Sequence, residues 1–237
     1  MNVGLVGYGK MGQAIEKILL SKGHTISKII NIDNADEIAD ITLSNTDVVI
    51  EFTAPESALN NIKTVLGNKV PVVSGSTGWL EYYEEVVNYC NAQDTAFFYA
   101  SNYSLGVNIF FKLNEQLAKM MNGKGYESSM VEIHHTQKLD APSGTAITLA
   151  EGLIANNDSK TKWVNEKSSN PEELEIISER VDPAPGTHDI TYDSKVDTIK
   201  ISHVAHSREG FAQGAVLAAE FLAGKKGVYS MDDLLKL

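Results

Sequence analysis

Residues 131 to 146 read VEIHHTQKLDAPSGTA, which brings His134, His135 and Lys138 to within twelve positions of a helix start at Ser143-Gly144-Thr145. Imidazole and ammonium groups can donate protons near neutral pH. The N–H groups of a first helical turn can hold a carboxylate or phosphate. The stretch is therefore a proton-donor set beside an anion cradle. Adjacent histidines alone more often mark a partly exposed edge, and each of the other features has an ordinary use: Lys138 as a solvated loop residue, the SGT run as a cap. Their coincidence points to chemistry. Pro142 is expected in the first helical turn, where its missing N–H costs nothing. Metal binding is the competing use of His134, His135 and Asp140. No HExxH or HxH spacing occurs, and the single cysteine, Cys90, falls in a helical stretch, so no metal is expected.

The elements that must carry this set follow from periodicity. Val131 and Ile133 alternate as in a strand, whose successive side chains face opposite ways. His134 and His135 can reach one ligand only if the chain turns at or just after His134. At the other end of the chain, a short apolar strand from Asn2 to Val6 runs into Gly7-Tyr8-Gly9-Lys10-Met11-Gly12, followed by a helix with Met11, Ile15, Ile18 and Leu19 on one face. GxGxxG between a strand and a helix is the dinucleotide-binding turn: Gly7 for the tight turn, Gly9 for approach of the pyrophosphate, Gly12 for close helix packing. A second strand, Thr25 to Ile32, completes the βαβ unit. The position facing the adenine ribose falls to Asn31 or to Asp33. An asparagine would not repel a 2′-phosphate and Lys10 could attract one, so weak discrimination between NADH and NADPH is expected.

Strands and helices continue to alternate. Val48 to Phe52 is a strand, and Thr53-Ala54-Pro55-Glu56 reads as a capping box for a helix ending near Gly67. The strands Val70 to Ser74 and Ala96 to Ala100 empty into Gly75-Ser76-Thr77-Gly78 and Ser101-Asn102-Tyr103-Ser104. Ligands of open parallel sheets sit at such strand ends. After residue 105 the pattern changes to a helix from Val107 to Met121, the HH strand, the SGT helix to about Asn156, a polar stretch from 157 to 173 read as a mobile loop, and three successive strands. That succession predicts a second, α+β domain with a mostly antiparallel sheet beside a Rossmann-type α/β domain. The small-residue helix from Gly210 to Ala223 returns to the first. The expected division is 1–105 with 209–237 for the dinucleotide, and 106–208 for substrate and oligomerisation.

At 237 residues and 43% apolar composition the chain is long enough for one large or two modest cores. A formal charge of −11 disfavours nucleic acid, and no apolar run of membrane-spanning length occurs. One cysteine fits a reducing cytoplasm, and MNVGLVGYGKMG reads as a buried strand rather than a signal peptide. Any anionic ligand must then be held by local devices such as the SGT helix start.

The motifs GYGKMG, EFTAPE (51–56), GSTG (75–78), ASNYSLGVN (100–108), EIHHTQKLDAPSGTA (132–146) and HVAHSREGFAQGAV (203–216) together resemble the 4-hydroxy-tetrahydrodipicolinate (dihydrodipicolinate) reductase family of the diaminopimelate route to lysine, over nearly the whole chain. The resemblance implies nicotinamide-dependent reduction of a cyclic, unsaturated dicarboxylate, with water lost from the 4-hydroxyl form. It implies His134 as proton donor or acceptor, Lys138 as second donor, and His135, Ser143, Gly144 and Thr145 as substrate-holding residues. Phe52, Gly75, Ser76, Thr77 and Ser101 to Ser104 would line the cofactor, with Thr77 also near the substrate. A cytoplasmic homotetramer built through the second domain's sheet is implied as well. Ala54 stands where some members carry a basic residue, and the PGTHDI segment at 185 to 190 matches only loosely. His188, His203 and His206 read as structural or rim residues. A covalent semialdehyde dehydrogenase would need a nucleophile that Cys90, between Tyr89 and Asn91 in a helix, is badly placed to supply. A nucleotide-sensing regulator that kept the fold would bind without turnover.

Overall fold

Apolar runs without alternation, such as Val3–Val6 and Val48–Ile50, form parallel strands covered on both faces. A computed structural model describes residues 1–207 and 209–236. In chain order it begins β1 (Asn2–Val6), α1 (Lys10–Ser21), β2 (Thr25–Ile30), a 3₁₀ segment (Ile32–Asp40), β3 (Val48–Glu51), α2 (Pro55–Gly67), β4 (Val72–Ser74), a 3₁₀ turn (Leu80–Tyr82), α3 (Tyr83–Ala92) and β5 (Ala96–Tyr99). It continues α4 (Leu105–Met121), β6 (Glu127–His134), α5 (Gly144–Ile154), β7 (Lys162–Val164), β8 (Glu173–Arg180), β9 (Gly186–Asp193) and β10 (Thr198–Ala205), and returns through α6 (Glu209–Leu222), β11 (Gly227–Tyr229) and α7 (Met231–Leu235). The chain divides into two compact units, Met1–Leu105 with Glu209–Leu237, and Gly106–Arg208. Arg208 of the HVAHSREGFAQGAV motif lies outside the described residues.

The first unit holds a six-stranded sheet in the order β11-β5-β4-β3-β1-β2, every pair parallel. One face packs on α1 and α6 through Ile15, Leu19, Ala215 and Ala219, the other on α2 and α3 through Ile62, Leu66 and Val86. The small residues of α6 have a steric purpose: a Cβ on Gly214 would lie 1.7 Å from the Tyr103 carbonyl oxygen. Two local expectations are corrected. β2 ends at Ile30, so Asn31 is the first residue past the strand. The capping box at Thr53 does not form: the N-cap is Ala54, Pro55 begins the helix, and the Thr53 hydroxyl donates to Glu51 instead.

The second unit holds a sheet in the order β10-β9-β6-β8-β7. β10, β9 and β6 pair antiparallel, whereas β8 and β7 add parallel to β6, so the sheet is mixed. The expected mobile loop at 157 to 173 contains β7, and Lys160 inside it is buried, its ammonium donating to the Pro171 and Glu173 carbonyls and to Glu127. Alternation along β6 sends Ser128, Met130, Glu132 and His134 to the buried face. There α4 and α5 close the core with Phe110, Leu149 and Leu153 against Ile176, Ile190 and Tyr192.

Candidate active site

In the first unit the turn after β1 is shaped by absent side chains. A Cβ on Gly7, at φ +94°, would meet the Phe52 carbonyl oxygen at 2.0 Å, and one on Gly12 the Gly7 carbonyl oxygen at 2.3 Å. Gly9 has nothing within 4 Å of that position. Two glycines thus let protein pack on protein, and the third leaves backbone open to a ligand. The turn borders a cavity of about 350 Å³ whose walls include Gly7, Tyr8, Gly9, Asn31, Ile32, Phe52 and Ala54. Asn31 lines it and Asp33 does not. Among the described residues its wall carries no charged side chain. Lys10 borders a different hollow with Gln13 and Lys17, and Met11 packs on the core beneath. The expected pull of Lys10 on a 2′-phosphate therefore has no support from its position. Exposed Ile32 and the small Ala54 add apolar wall.

The neighbouring strand ends are tied together by a buried carboxylate. Glu51 accepts from Ser74 Oγ at 2.6 Å, Ser76 Oγ at 2.7 Å and the Thr53 N–H at 2.9 Å. Burial pushes its carboxyl above the ordinary range against the pull of these bonds. The Phe52 ring fills the space a Gly75 side chain would need and packs on Tyr103 at 5.7 Å. Tyr103 is buried, with its hydroxyl donating to the Ser74 carbonyl at 2.6 Å. Among the residues expected to line the cofactor, the side chains of Ser76 and Tyr103 thus serve the protein interior. Thr77 and Ser101 are exposed, and Asn102 turns its Oδ1 to the Ser104 N–H at 2.9 Å.

In the second unit β6 stops at His134, the position at which both imidazoles can serve one side. The turn that follows is closed by Lys138 N–H donating to the His135 carbonyl at 3.1 Å and by Thr136 donating to Asp182 through both N–H and hydroxyl. Arg180 on β8 clamps the loop, donating to the Lys138 carbonyl at 3.3 Å and the Asp140 carbonyl at 2.7 Å. The Lys138 ammonium pairs with the Asp140 carboxylate at 2.7 Å. Helix α5 begins at Gly144, so Pro142 lies two residues before it rather than in its first turn, and Ser143 is the N-cap, accepting from the Ala146 N–H at 3.1 Å. The Ser143 N–H is spent on Glu132, to both of whose oxygens it lies at 3.1 Å. The cradle is therefore narrower than the sequence suggested, reduced to the helix-opening residues Gly144 and Thr145. Gly144 is exposed, with open space where a side chain would stand.

Four residues join the site that sequence reasoning did not assign to it: Glu132, Arg180, Gly186 and His188. His188, read as structural or rim, is buried and stands edge-on to His134 with ring centroids 5.2 Å apart, because β9 pairs His188 with Glu132 across the ladder. A Cβ on Gly186 would press on His134 Nε2 at 3.1 Å. His203 packs on Phe110 and His206 is exposed beyond β10. Glu132 had a legible signal, a carboxylate two residues before a histidine on one strand face. His188 had none, since strand register links it to His134.

Burial holds His134 below its ordinary pKa, helped by Lys138 and Arg180 and opposed by Glu132 and Asp140. Burial also lowers His188, to about 4. For Glu132 burial acts upward, but the hydrogen bonds from Ser143 and Ser178 and the nearby His134 outweigh it and the carboxyl stays below the usual range. Glu132, His134 and His188 bring ligand-type atoms within 4.8 Å of one another. The donor set fits a metal poorly. Glu132 already accepts from Ser143, Ser178 and Arg180, and a dication there would sit beside the Arg180 guanidinium.

The models for the N-terminal and C-terminal parts of dihydrodipicolinate reductase match residues 1–103 and 106–235. The chain belongs to the dihydrodipicolinate reductase family. Among curated members of that family, the 4-hydroxy-tetrahydrodipicolinate reductase of Christiangramia forsetii is 47% identical over 99% of this chain and 98% of its own. That of Ralstonia pickettii is 32% identical with both chains fully covered. A dipicolinate-bound dihydrodipicolinate reductase from Paenisporosarcina sp. TG-14 shares the fold, with a TM-score of 0.78 at 20% identity over 97% of each chain. The amine dehydrogenase of Mycobacterium smegmatis shares it more loosely, at 0.63 and 10% identity over 98% of this chain and 95% of its own. The fold alone thus does not select the reductase family's reaction; the residues must.

Proposed function

We propose that the chain reduces 4-hydroxy-tetrahydrodipicolinate to tetrahydrodipicolinate with NADH or NADPH, the 4-hydroxyl leaving as water, in the route to diaminopimelate and lysine. The observation that carries this is the grouping of His134, Lys138 and the start of α5 in one unit of a chain that the family matches from end to end. The first unit, by its parallel sheet and glycine turn, would hold the dinucleotide, and the second the substrate. Gly7, Gly9, Asn31 and Phe52 would hold the cofactor, whose nicotinamide supplies a hydride when bound. The uncharged cavity wall supports acceptance of both nucleotides.

The chain's own residues then bind, orient and move a proton. Gly144 and Thr145 at the α5 N-terminus hold one substrate carboxylate by helix-end N–H groups and dipole. His135 and the Lys138 ammonium hold the other, Lys138 exchanging its Asp140 partner for the substrate and standing as second donor. Negative charge that develops on the reduced ring is quenched by a proton from His134 Nε2. The dianion itself favours the imidazolium by placing negative charge near a ring that is otherwise held below its ordinary pKa. Fixing a small cyclic dicarboxylate between these groups supplies proximity.

Assembly as a homotetramer is part of the proposal. The face of the second sheet opposite α4 and α5 presents Val131, Ile133 and Ile177 only half-buried, a surface that a sheet covers by pairing with other copies. Light scattering behind gel filtration reads the mass directly. The reaction is tested by supplying the purified chain with freshly made product of the preceding synthase and either nucleotide. Substrate-dependent loss of nicotinamide absorbance is expected, and its absence with both nucleotides rejects the reading.

A further inference from the structure

Glu132 is buried, and three elements besides its own strand converge on its two oxygens. Oε1 accepts from Ser178 Oγ of β8 at 2.7 Å, from Arg180 Nη2 at 3.4 Å and from the Ser143 N–H at 3.1 Å. Oε2 shares the Ser143 N–H at 3.1 Å and faces His134 Nδ1 at 3.5 Å and His188 Nε2 at 3.8 Å. His134 Nδ1 is buried, and its approach to Glu132 is a charge contact without hydrogen-bond geometry. Ser143 caps the helix whose first residues form the anion cradle. One carboxylate therefore reaches both the proton donor and the element that grips the substrate.

We propose that Glu132 is the positioning residue of this site: it draws the Nδ1–H of His134 inward, leaves Nε2 as the atom presented to substrate, and locks the imidazole to the N-terminus of α5. The proposal rests on the reading of His134 as the proton donor. The nitrogen of an imidazole that is protonated is set by the bond the other nitrogen makes, and a fixed carboxylate also stabilises the imidazolium when it forms. The groups that face His134 divide by sign. Lys138 of the loop and Arg180 of β8 disfavour its charged form; Asp140 of the loop and Glu132 of its own strand favour it; His188 of β9 stands beside it. Asp140 is largely exposed and tied to Lys138, so the buried Glu132 is the counter-charge that water screens least. His188 closes the back of the arrangement with Nε2 3.2 Å from Ser143 Oγ.

The test is Glu132→Gln in the full chain, which preserves size and leaves acceptors for Ser143 and Ser178. Histidine ¹⁵N titration in the absence of cofactor and substrate follows His134 directly, with His134→Gln identifying its signals. The wild type is expected to carry its neutral-form proton on Nδ1. Glu132→Gln is expected to lower the His134 midpoint by about one pH unit, a tenfold change, and to move the alkaline fall of kcat/KM by the same amount to lower pH. An unchanged midpoint and tautomer, or a loss of activity equal at every pH, overturns the proposal. Should Glu132→Gln not fold, Glu132→Asp, which withdraws the carboxylate by one methylene, must lower the midpoint in the same direction or the proposal fails. The titration needs no turnover, so failure of the reductase reading and failure of this coupling are distinguishable.

Discussion

His134 turns Nδ1 toward the buried carboxylate of Glu132 at 3.5 Å while its Nε2 lies toward the missing side chain of Gly186. The buried ring is thus set between a carboxylate on one side and a residue without a side chain on the other, which restrains an acid from drifting. His134→Gln keeps an amide of similar reach but no transferable proton. It is expected to lower kcat roughly 10²- to 10⁴-fold with little change in KM. Thr145→Val, at the second residue of α5, is expected to raise KM with kcat largely kept. Steady-state kinetics separates the two; small, equal effects from both would place the site elsewhere.

The pH dependence follows from the same ring. Burial, then the charges of Lys138 and Arg180, hold free His134 below its usual 6.5. An acid works only when protonated, so kcat/KM, which reports the free protein, should fall as pH rises through a midpoint below 6.5. The bound dianion raises that pKa, so kcat should hold to higher pH. Rate profiles for both parameters check this, and coincident midpoints would contradict it.

His188 makes a prediction about stability. Its folded pKa of about 4 lies below the unfolded 6.5, so the unfolded chain binds more protons between those values. The stability it contributes is whole above about 6.5 and is lost as pH falls toward 4, by up to roughly 3 kcal/mol. His188→Gln removes the titration, and its Tm should fall less than the wild type's between pH 7 and 4. Parallel falls would rule the role out.

Cofactor choice turns on Asn31. Its amide lines a cavity wall without charge, so the wild-type kcat/KM values for NADH and NADPH are expected to lie within about tenfold of each other. Asn31→Asp places a carboxylate where a 2′-phosphate would lie and should reduce use of NADPH relative to NADH by about tenfold or more. A variant with an unchanged ratio would show that Asn31 is not at the ribose.

Much of this was legible in the chain because the signals were local. Gly7, Gly9 and Gly12 declared a strand-turn-helix by spacing, and the alternation of Val131 and Ile133 carried β6 to its end at His134. The parts that were missed depend on what lies across the fold. His188 meets His134 only because β9 pairs with β6 in that register, and the parallel strand β8 delivers Arg180 beside His134. The Ser143 amide, free in a sequence reading, is claimed by Glu132 from the neighbouring strand. Lys10 follows the first two glycines of the turn and borders a hollow other than the one Gly7 and Gly9 line. Periodicity finds the elements, whereas the polar partners inside a site are chosen by packing.

The central claim joins a hydride from the nicotinamide to a proton from His134 in the reduction of one cyclic dicarboxylate. Its most direct measurement is a single turnover with nicotinamide nucleotide deuterated at the transferring position, followed by mass analysis of the product, with His134→Gln run beside the wild type. The predicted result is tetrahydrodipicolinate carrying one deuterium, formed at least a hundredfold more slowly by the variant. Product without deuterium, or an equal rate from both proteins, would contradict it.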